Sequence, residues 1–236
     1  MPAAAANKGP LGPASAVIVV AAKAPRPGTV KTRLLPALSP EAAASLAGAF
    51  LEDTLQTAAT AAASLRADLV LALDGAPALL PPSLLPLSVS VIAQAGNTLG
   101  ERLETMMGAA GLSVGGDRRV CVIGGDAPHL PAAFLIEAFG RLATADVVLG
   151  PADDGGYYLI ALSRPAPTLF ADIPWSGPDV LAATRVRAAA AGLRLALLPP
   201  WYDVDTPHDL RRMGGDLACG VAHAPATRRA LANLSV

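Results

Sequence analysis

The sequence is poor in cysteine, in aromatic residues and in excess charge of either sign. Its 236 residues include two cysteines, 4% aromatic residues and a formal net charge of −1. Two cysteines without CxxC spacing support neither a zinc site nor a disulfide framework, and this usage favours a reducing cytoplasm. The near-neutral charge, without a run of five or more cations, gives no general attraction for nucleic acid or an acidic membrane. We therefore expect a cytoplasmic protein that binds neither.

Long apolar runs and motifs for covalent catalysis are also lacking. The first apolar run, residues 16–22, is too short for the hydrophobic region of a signal peptide and ends at Lys23. The histidines His129, His208 and His223 share no metal-ligand spacing, and no Gly-x-Ser-x-Gly motif is present. We expect no targeting or transmembrane segment and no covalent intermediate.

Hydrophobic residues make up 53% of the chain, but only 4% of the residues are aromatic. Ala, Leu and Val must therefore build most of the core. A chain of this length can form one domain with a full core. The sequence predicts a disordered leader over residues 1–14 and a single domain over residues 15–236. A Pro-rich connection, residues 76–86, has room for only a short turn or helix.

Short apolar runs alternate with helical patterns along this domain. Strands are predicted at residues 17–20, 69–73, 89–92, 120–123, 146–150, 157–162 and 195–198. Helices are predicted at residues 39–63, 99–110, 131–142 and 178–191, with helical tails from residues 207 and 226. This alternation predicts a three-layer α/β/α fold with a mostly parallel mixed sheet, in which ligands bind at the carboxyl ends of the strands.

Three acidic turns adjoin apolar runs, and they predict a metal site. They contain Asp126, then Asp153 and Asp154, then Asp203 and Asp205. Two unit charges about 4 Å apart repel by about 4 kcal/mol at an effective dielectric of 20, so converging carboxylates need a proton or a cation. Oxygen ligands favour Mg²⁺ or Mn²⁺, whose shell is commonly completed by substrate phosphates.

Each acidic turn also has a purely structural interpretation. Gly-Asp-x-Pro around Asp126 is a good turn sequence, and Thr206 before Pro207 is typical of a helix N-cap, so one of the two preceding aspartates could be structural. Asp209 falls in the first turn of that helix, where a carboxylate stabilises the helix dipole.

A basic loop follows the first predicted strand and is a candidate phosphate site. Its four cations, Lys23, Arg26, Lys31 and Arg33, together with Gly28 could cradle the phosphates of a nucleotide. The loop is not a P-loop, because Val30 stands where that motif requires Gly, and no G-x-G-x-x-G follows the strand. A solvated basic loop is the alternative.

Small and aromatic residues near the second acidic turn suggest a sugar or acceptor site. Gly155 and Gly156 let the backbone approach a ligand closely, and the ring of Tyr157 or its neighbour could stack on a base or sugar. Trp175 and Ser176 could form a pocket edge. A plain turn before a strand and a buried indole are the alternatives.

Taken in order, the basic loop, Gly-Gly-Asp126-Ala-Pro, Gly150-Pro-Ala-Asp-Asp-Gly-Gly-Tyr-Tyr, Ile173-Pro-Trp-Ser and Asp203-Val-Asp-Thr-Pro resemble a bacterial family of GT-A-type transferases. These are glycosyltransferase-like proteins associated with radical-SAM genes, a DUF2064-like group related to phospholactate guanylyltransferases and molybdenum-cofactor nucleotidyltransferases. The resemblance covers about residues 16 to 213.

The resemblance implies a GT-A fold and a nucleotide site. It implies that Asp126 and Asp205 hold the metal, that Lys31 and Arg33 contact phosphates, and that the loop with Gly96, Gly100 and Arg102 borders the nucleotide. The chain lacks the Gly-Gly-x-Gly first loop of the molybdenum-cofactor group, which leaves base recognition open.

Three functions remain open at this point. The first is metal-dependent glycosyl transfer from a nucleotide sugar to a small acceptor, with Asp153 or Asp154 as general base and Lys31 assisting the leaving diphosphate. The second is nucleotidylyl transfer, in which a substrate phosphate or carboxylate attacks an NTP and no protein base is needed. The third is a nucleotide-binding module without turnover.

Overall fold

Strands and helices alternate along the computed structural model, which describes residues 15–80 and 89–234. The strands are β1 Ala16–Lys23, β2 Asp68–Asp74, β3 Ser90–Ala93, β4 Arg119–Gly124, β5 Val147–Pro151, β6 Tyr157–Leu162 and β7 Leu195–Leu197. The helices are α1 Pro40–Leu65, α2 Leu99–Ala109, α3 Ala132–Arg141, α4 Val180–Ala190, α5 Pro207–Ala218 and α6 Pro225–Asn233. None of the helices within these residues combines the length and apolarity needed to cross a bilayer. The predicted leader, and residues 81–86 of the Pro-rich connection, lie outside the described residues.

The seven strands form one mixed sheet in the order β3-β2-β1-β4-β6-β5-β7. Only β6 runs antiparallel to its neighbours β4 and β5, while the other paired strands are parallel. The carboxyl ends of six strands therefore lie at one edge of the sheet, where β6 begins. The predicted mostly parallel mixed sheet is confirmed.

Both faces of the sheet are buried, and β1 shows this clearly, because its alternating apolar side chains pack on both sides. Ile18 and Val20 pack on the side covered by α1 and α3, whereas Val17 and Val19 pack on the side covered by α2 and α4. Full burial of one such side chain contributes about 1.5–3 kcal/mol. The sheet thus lies between two layers of helices, with one apolar cluster on each side. The predicted three-layer fold is confirmed.

A third apolar cluster holds the C-terminal helices against α1 beside the last acidic turn. Leu34 and Phe50 pack there with Val204 and with Met213 of α5. The N-terminus of α1 is fixed by the Ser39 hydroxyl, which accepts a hydrogen bond from the N–H of Ala42 at 3.1 Å. This packing brings the segment after β7 to the carboxyl edge of the sheet.

Candidate active site

The first and third acidic turns meet at this edge through the main chain. The N–H of Val204 donates to the carbonyl oxygen of Asp126 at 2.8 Å. Because Val204 lies between Asp203 and Asp205, this hydrogen bond brings both of those carboxylates beside the turn that follows β4. The convergence of distant aspartates that the metal hypothesis requires is therefore present.

Lys31 lies between the carboxylates of Asp126 and Asp205. Its Nζ forms an ion pair with Asp126 and donates to Asp205 Oδ1 at 3.0 Å and to the carbonyl of Val204 at 2.8 Å. Its side chain is only 4% exposed and lies over the Phe50 ring. Burial works to lower the pKa of Lys31, but the two carboxylates raise it above its ordinary value. Lys31 is therefore the resident counter-cation of this acidic site.

Asp203 is a carboxyl group of this cluster whose pKa lies well above its ordinary value. Burial and the negative charges of Asp126, Asp205 and Asp154 together raise its pKa to about 7, although Lys31 opposes the shift. The neighbouring carboxylates therefore disfavour the ionised form of Asp203 more strongly than Lys31 stabilises it.

The donor set fits a divalent cation of the Mg²⁺ or Mn²⁺ type. Asp126 and Asp205 already place carboxylate oxygens around one common cationic atom, and their side chains remain 55% and 38% exposed. Within residues 15–80 and 89–234, no three His, Cys, Asp or Glu side chains form a ready metal shell. One or two carboxylates completed by phosphate and water is the usual arrangement for Mg²⁺. Asp126 and Asp205 are the residues that would hold it.

Helix α5 begins directly after Asp205 with a capping box. The Thr206 hydroxyl accepts from the N–H of Asp209 at 3.3 Å, and Asp209 Oδ2 accepts from the N–H of Thr206 at 2.8 Å. Although burial opposes the shift, these hydrogen bonds lower the pKa of Asp209. Asp209 therefore stabilises the helix, and Asp205 is held at its start.

The second acidic turn connects β5 to β6 at the same sheet edge. Asp153 is paired with Arg212 at 2.7 Å, and Asp154 Oδ1 accepts from the N–H of Gly156 at 2.9 Å. Gly155 has φ +89°, and a Cβ on it would lie 1.9 Å from the carbonyl oxygen of Pro178. Gly155 is thus required by packing, and both aspartates have partners of their own.

A cleft of about 450 Å³ opens at this edge and runs over the ends of β1 and β4. Seven of the residues predicted from the sequence line it: Lys23, Lys31, Arg33, Arg102, Asp126, Tyr157 and Asp205. Its volume is within the range of small-molecule and cofactor sites. The cleft therefore combines cations, carboxylates and apolar walls in one place.

The basic loop is divided between the cleft and the solvent. Lys23 and Arg33 line the cleft, and Arg33 Nη1 lies 3.6 Å from Asp205 Oδ2. Arg26 is exposed in a turn, where its carbonyl accepts from the hydroxyl of Thr29, and Gly28 takes φ +75° in the same turn. Neither Arg26 nor Gly28 is among the residues lining the cleft. Their phosphate contacts remain a prediction.

The predicted nucleotide loop before α2 is held by Arg102. Its Nη1 pairs with Asp74 at 3.1 Å, and its Nε donates to the carbonyl of Gly96 at 3.2 Å. Gly100 is buried instead, with Trp175 and Phe170 directly over it, so a Cβ there would lie 3.0 Å from the indole. Arg102 faces the cleft, whereas Gly100 allows close packing.

The predicted acceptor residues are likewise divided between the cleft and packed positions outside its lining. Tyr157 lines the cleft, and burial raises the pKa of its hydroxyl. Trp175 packs against α2 as a half-buried indole, and Ser176 adopts φ +74° beside it. Gly156 lies in the turn closed by Asp154. Acceptor contacts for these residues remain a prediction.

Sequence reasoning missed two residues of this region. Gln94 follows β3 and lines the cleft, and Arg212 of α5 lies 3.7 Å over the Tyr202 ring while it pairs with Asp153. The position of Gln94 at a strand end was a usable signal, but a lone amide forms no charged motif. Arg212 gave no signal, because its contact with residue 153 is long-range.

Comparisons with known proteins identify the family and agree with the fold. The model of a family described as "Uncharacterized protein conserved in bacteria (DUF2064)" matches residues 54–177. A protein from Desulfovibrio desulfuricans G20, provisionally described as a nucleotide-diphospho-sugar transferase, is 33% identical, with a TM-score of 0.77 and coverage of 92% of this chain and 94% of its own. No curated protein matches the chain.

Two more distant structures share the fold alone. A nucleotidyl transferase from Methanothermobacter has a TM-score of 0.59 at 16% identity, covering 86% of this chain and 98% of its own. A CMP-2-keto-3-deoxy-manno-octonic acid synthetase, solved with CTP, has a TM-score of 0.56 at 14% identity, covering 88% and 100%. The match over residues 54–177, together with the 33% identity along most of the chain, shows that this protein belongs to the bacterial family DUF2064 and has the nucleotide-diphospho-sugar transferase-like fold.

Proposed function

We propose that the protein is a metal-dependent transferase that moves a sugar from a nucleotide-linked donor to a small acceptor. The observation that carries the proposal is the convergence of Asp126 and Asp205 on one cationic atom at the edge of an open, cation-lined cleft. The description of the 33% identical relative as a nucleotide-diphospho-sugar transferase supports the same reaction class.

The residues divide the work of such a transfer. Bound at Asp126 and Asp205, Mg²⁺ or Mn²⁺ would supply positive charge to the leaving diphosphate. Lys23 and Arg33 would bind phosphate oxygens from the cleft wall, and Lys31 would keep the two carboxylates in place. The acceptor hydroxyl would form the new bond to the anomeric carbon while the bond to the diphosphate breaks, and Asp153 or Asp154 would take its proton.

Nucleotidylyl transfer is the second candidate, and one feature of the site favours it. Asp153 is engaged by Arg212 and Asp154 by the N–H of Gly156, so each candidate base already has a partner. Attack by a substrate phosphate or carboxylate on the α-phosphorus of an NTP would need no protein base. This reaction would release pyrophosphate. The relation to phospholactate guanylyltransferases also remains a prediction.

One product screen tests both candidates. The full chain is incubated with Mg²⁺ or Mn²⁺, an acceptor pool, and either UDP-, GDP- and CDP-sugars or the four NTPs. Nucleoside diphosphate release indicates glycosyl transfer, whereas pyrophosphate release indicates nucleotidylyl transfer. Nucleotide-dependent thermal stabilisation without either product would favour a binding module, since ligand at 100 times its dissociation constant adds about 2.7 kcal/mol. Asp126→Asn should abolish the product, and Asp117→Asn is the control, because Asp117 is exposed and precedes β4 at the opposite edge of the sheet.

A further inference from the structure

The side chain of Gln94 lies across the carboxyl ends of two strands. Its Nε2 donates to the carbonyl of Ala22 on β1 at 3.1 Å and to the carbonyl of Ala72 on β2 at 2.9 Å. The main-chain N–H of Gln94 donates to the carbonyl of Leu73 at 3.0 Å. Two carbonyl acceptors can be satisfied only by the NH₂ group, so the orientation of the amide is fixed.

This orientation leaves one functional atom of Gln94 for a ligand. Both protons of the side-chain amide donate to strand carbonyls. Only Oε1, which can accept but not donate, is left to bind a ligand. Among the described residues no donor reaches Oε1, and this atom is not one of the buried side-chain atoms that lack a partner. Because Gln94 lines the cleft, this oxygen is open to a molecule bound there.

The position of this oxygen relative to the acidic site fits a nucleoside. Adjacent strands are about 4.8 Å apart, so the β1–β2 carbonyls and the end of β4 at Asp126 are separated by about 5–10 Å across the sheet. The same cleft has an apolar wall that includes Ala21, Leu103 and Met106. A ligand with phosphates at Asp126 would place its flat, uncharged portion along this wall.

We infer that Gln94 reads the base of the bound nucleotide by accepting a hydrogen bond from a base N–H at Oε1. The inference rests on the proposed function, because it requires a nucleotide with its phosphates at the acidic site. Gln94 would then discriminate among bases by where each presents an N–H donor, and it would not contact a polyphosphate that has no base.

The test compares binding with and without a base. The dissociation constants of ATP, CTP, GTP, UTP and inorganic tripolyphosphate are measured with Mg²⁺ by calorimetry for the full chain and for Gln94→Met. We expect the preferred nucleotide to bind about tenfold more weakly to the variant, with a flattened ranking among bases and unchanged tripolyphosphate affinity. The same substitution at an exposed position, Gln56→Met, is the matched control and should change nothing.

Four outcomes would overturn the inference, the last of them in a substitute experiment on the wild type. An unchanged ranking in Gln94→Met removes Gln94 from base recognition while the proposed function stands. Equal wild-type affinity for tripolyphosphate and all nucleotides shows that no base is read. Wild-type protein that binds none of these ligands, nor any nucleotide sugar, contradicts the proposed function itself. If Gln94→Met does not fold, wild-type binding of nucleotides methylated at the base N–H groups decides, and an unaltered affinity refutes the inference.

Discussion

At the residue scale, Lys31 combines two unfavourable features that its ion pairs offset. It is a non-glycine residue with φ 49°, and its side chain is nearly fully buried. A left-handed backbone costs about 1–2 kcal/mol for such a residue. The flanking Val30 and Leu34 are buried, which holds the loop inward. The structure places this ammonium among carboxylates, and the phosphate contact that the sequence predicted for Lys31 remains a prediction.

Lys31→Met should destabilise the protein by about 1–3 kcal/mol in urea unfolding without metal. Removing one partner of a fully buried ion pair costs about 3–5 kcal/mol, and the partial exposure of Asp126 and Asp205 reduces this figure. Added Mg²⁺ should raise the melting temperature of the variant more than that of the wild type, because the metal replaces the missing positive charge.

Arg33→Met provides the matched control for this substitution. Arg33 is 73% exposed and lies 3.6 Å from Asp205, so its loss should change stability by less than about 1 kcal/mol. Equal responses of the two variants to Mg²⁺ would contradict the role of Lys31 as counter-cation.

At the scale of the elements, the β5–β6 turn is fixed by contact with the segment before α4. Gly155→Ala should destabilise the protein by about 3 kcal/mol and reduce turnover, because a Cβ 1.9 Å from the Pro178 carbonyl forces the turn to move. Gly192→Ala has a similar positive φ, +64°, but open space, so it should cost only about 1 kcal/mol. Chemical denaturation measures both, and equal losses would show that backbone strain alone accounts for the effect.

Helix α6 is fastened to α1 by a buried carboxylate. Asp53 accepts from the N–H groups of Ala226 and Thr227 at 2.9 and 2.7 Å, and it is 4% exposed. Asp53→Ala should therefore cost about 2 kcal/mol in urea unfolding, since two buried donors at a helix N-terminus lose their acceptor. The exposed i,i+4 pair of Glu137 with Arg141 is the comparison, and Glu137→Ala should cost about 0.5 kcal/mol. A loss at Asp53 no larger than this would refute the capping role.

At the scale of the whole molecule, two titratable groups should change stability in opposite directions as pH drops from 7 towards 4: His129 should destabilise the fold, and Asp203, whose pKa is raised to about 7, should stabilise it. Burial lowers the pKa of His129 to about 4, with Arg212 reinforcing and Asp216 opposing the shift. On acidification His129 therefore gains its proton near pH 6.5 in the unfolded chain but only at lower pH in the folded chain. The stability that neutral, buried His129 allows above pH 6.5 is lost as the pH falls. Between pH 7 and pH 5 the stability contributed by His129 should fall by about 2 kcal/mol, measured as the difference between the wild type and His129→Leu in urea unfolding at each pH.

His129→Leu lacks the His129 contribution, so its stability should rise relative to that of the wild type as pH falls from 7 to 5, while Asp203 acts equally in both proteins. His223 is exposed, so His223→Leu should keep the pH dependence of the wild type and serves as the control. An unchanged pH dependence in His129→Leu would show that His129 does not contribute to acid stability between pH 7 and pH 5.

The elements were largely predictable because their signals are local. Ser39 and Pro40 marked the start of α1, and Thr206 and Pro207 marked the start of α5, where the structure shows a capping box. The position of β6 was not predictable. Its insertion as an antiparallel strand between β4 and β5 is decided by long-range pairing, which periodicity does not encode.

The sequence by itself determined the alternating elements, the apolar strands buried on both faces, and the placement of Asp126 at a strand end, since these depend on neighbours along the chain. Only the tertiary structure decided that Lys31 lies between Asp126 and Asp205, that Arg212 engages Asp153, and that Gln94 spans two strands. Those contacts join residues that strand order and helix packing bring together from distant parts of the chain. The electrostatics of the site follow from the short distances between these groups in the folded protein.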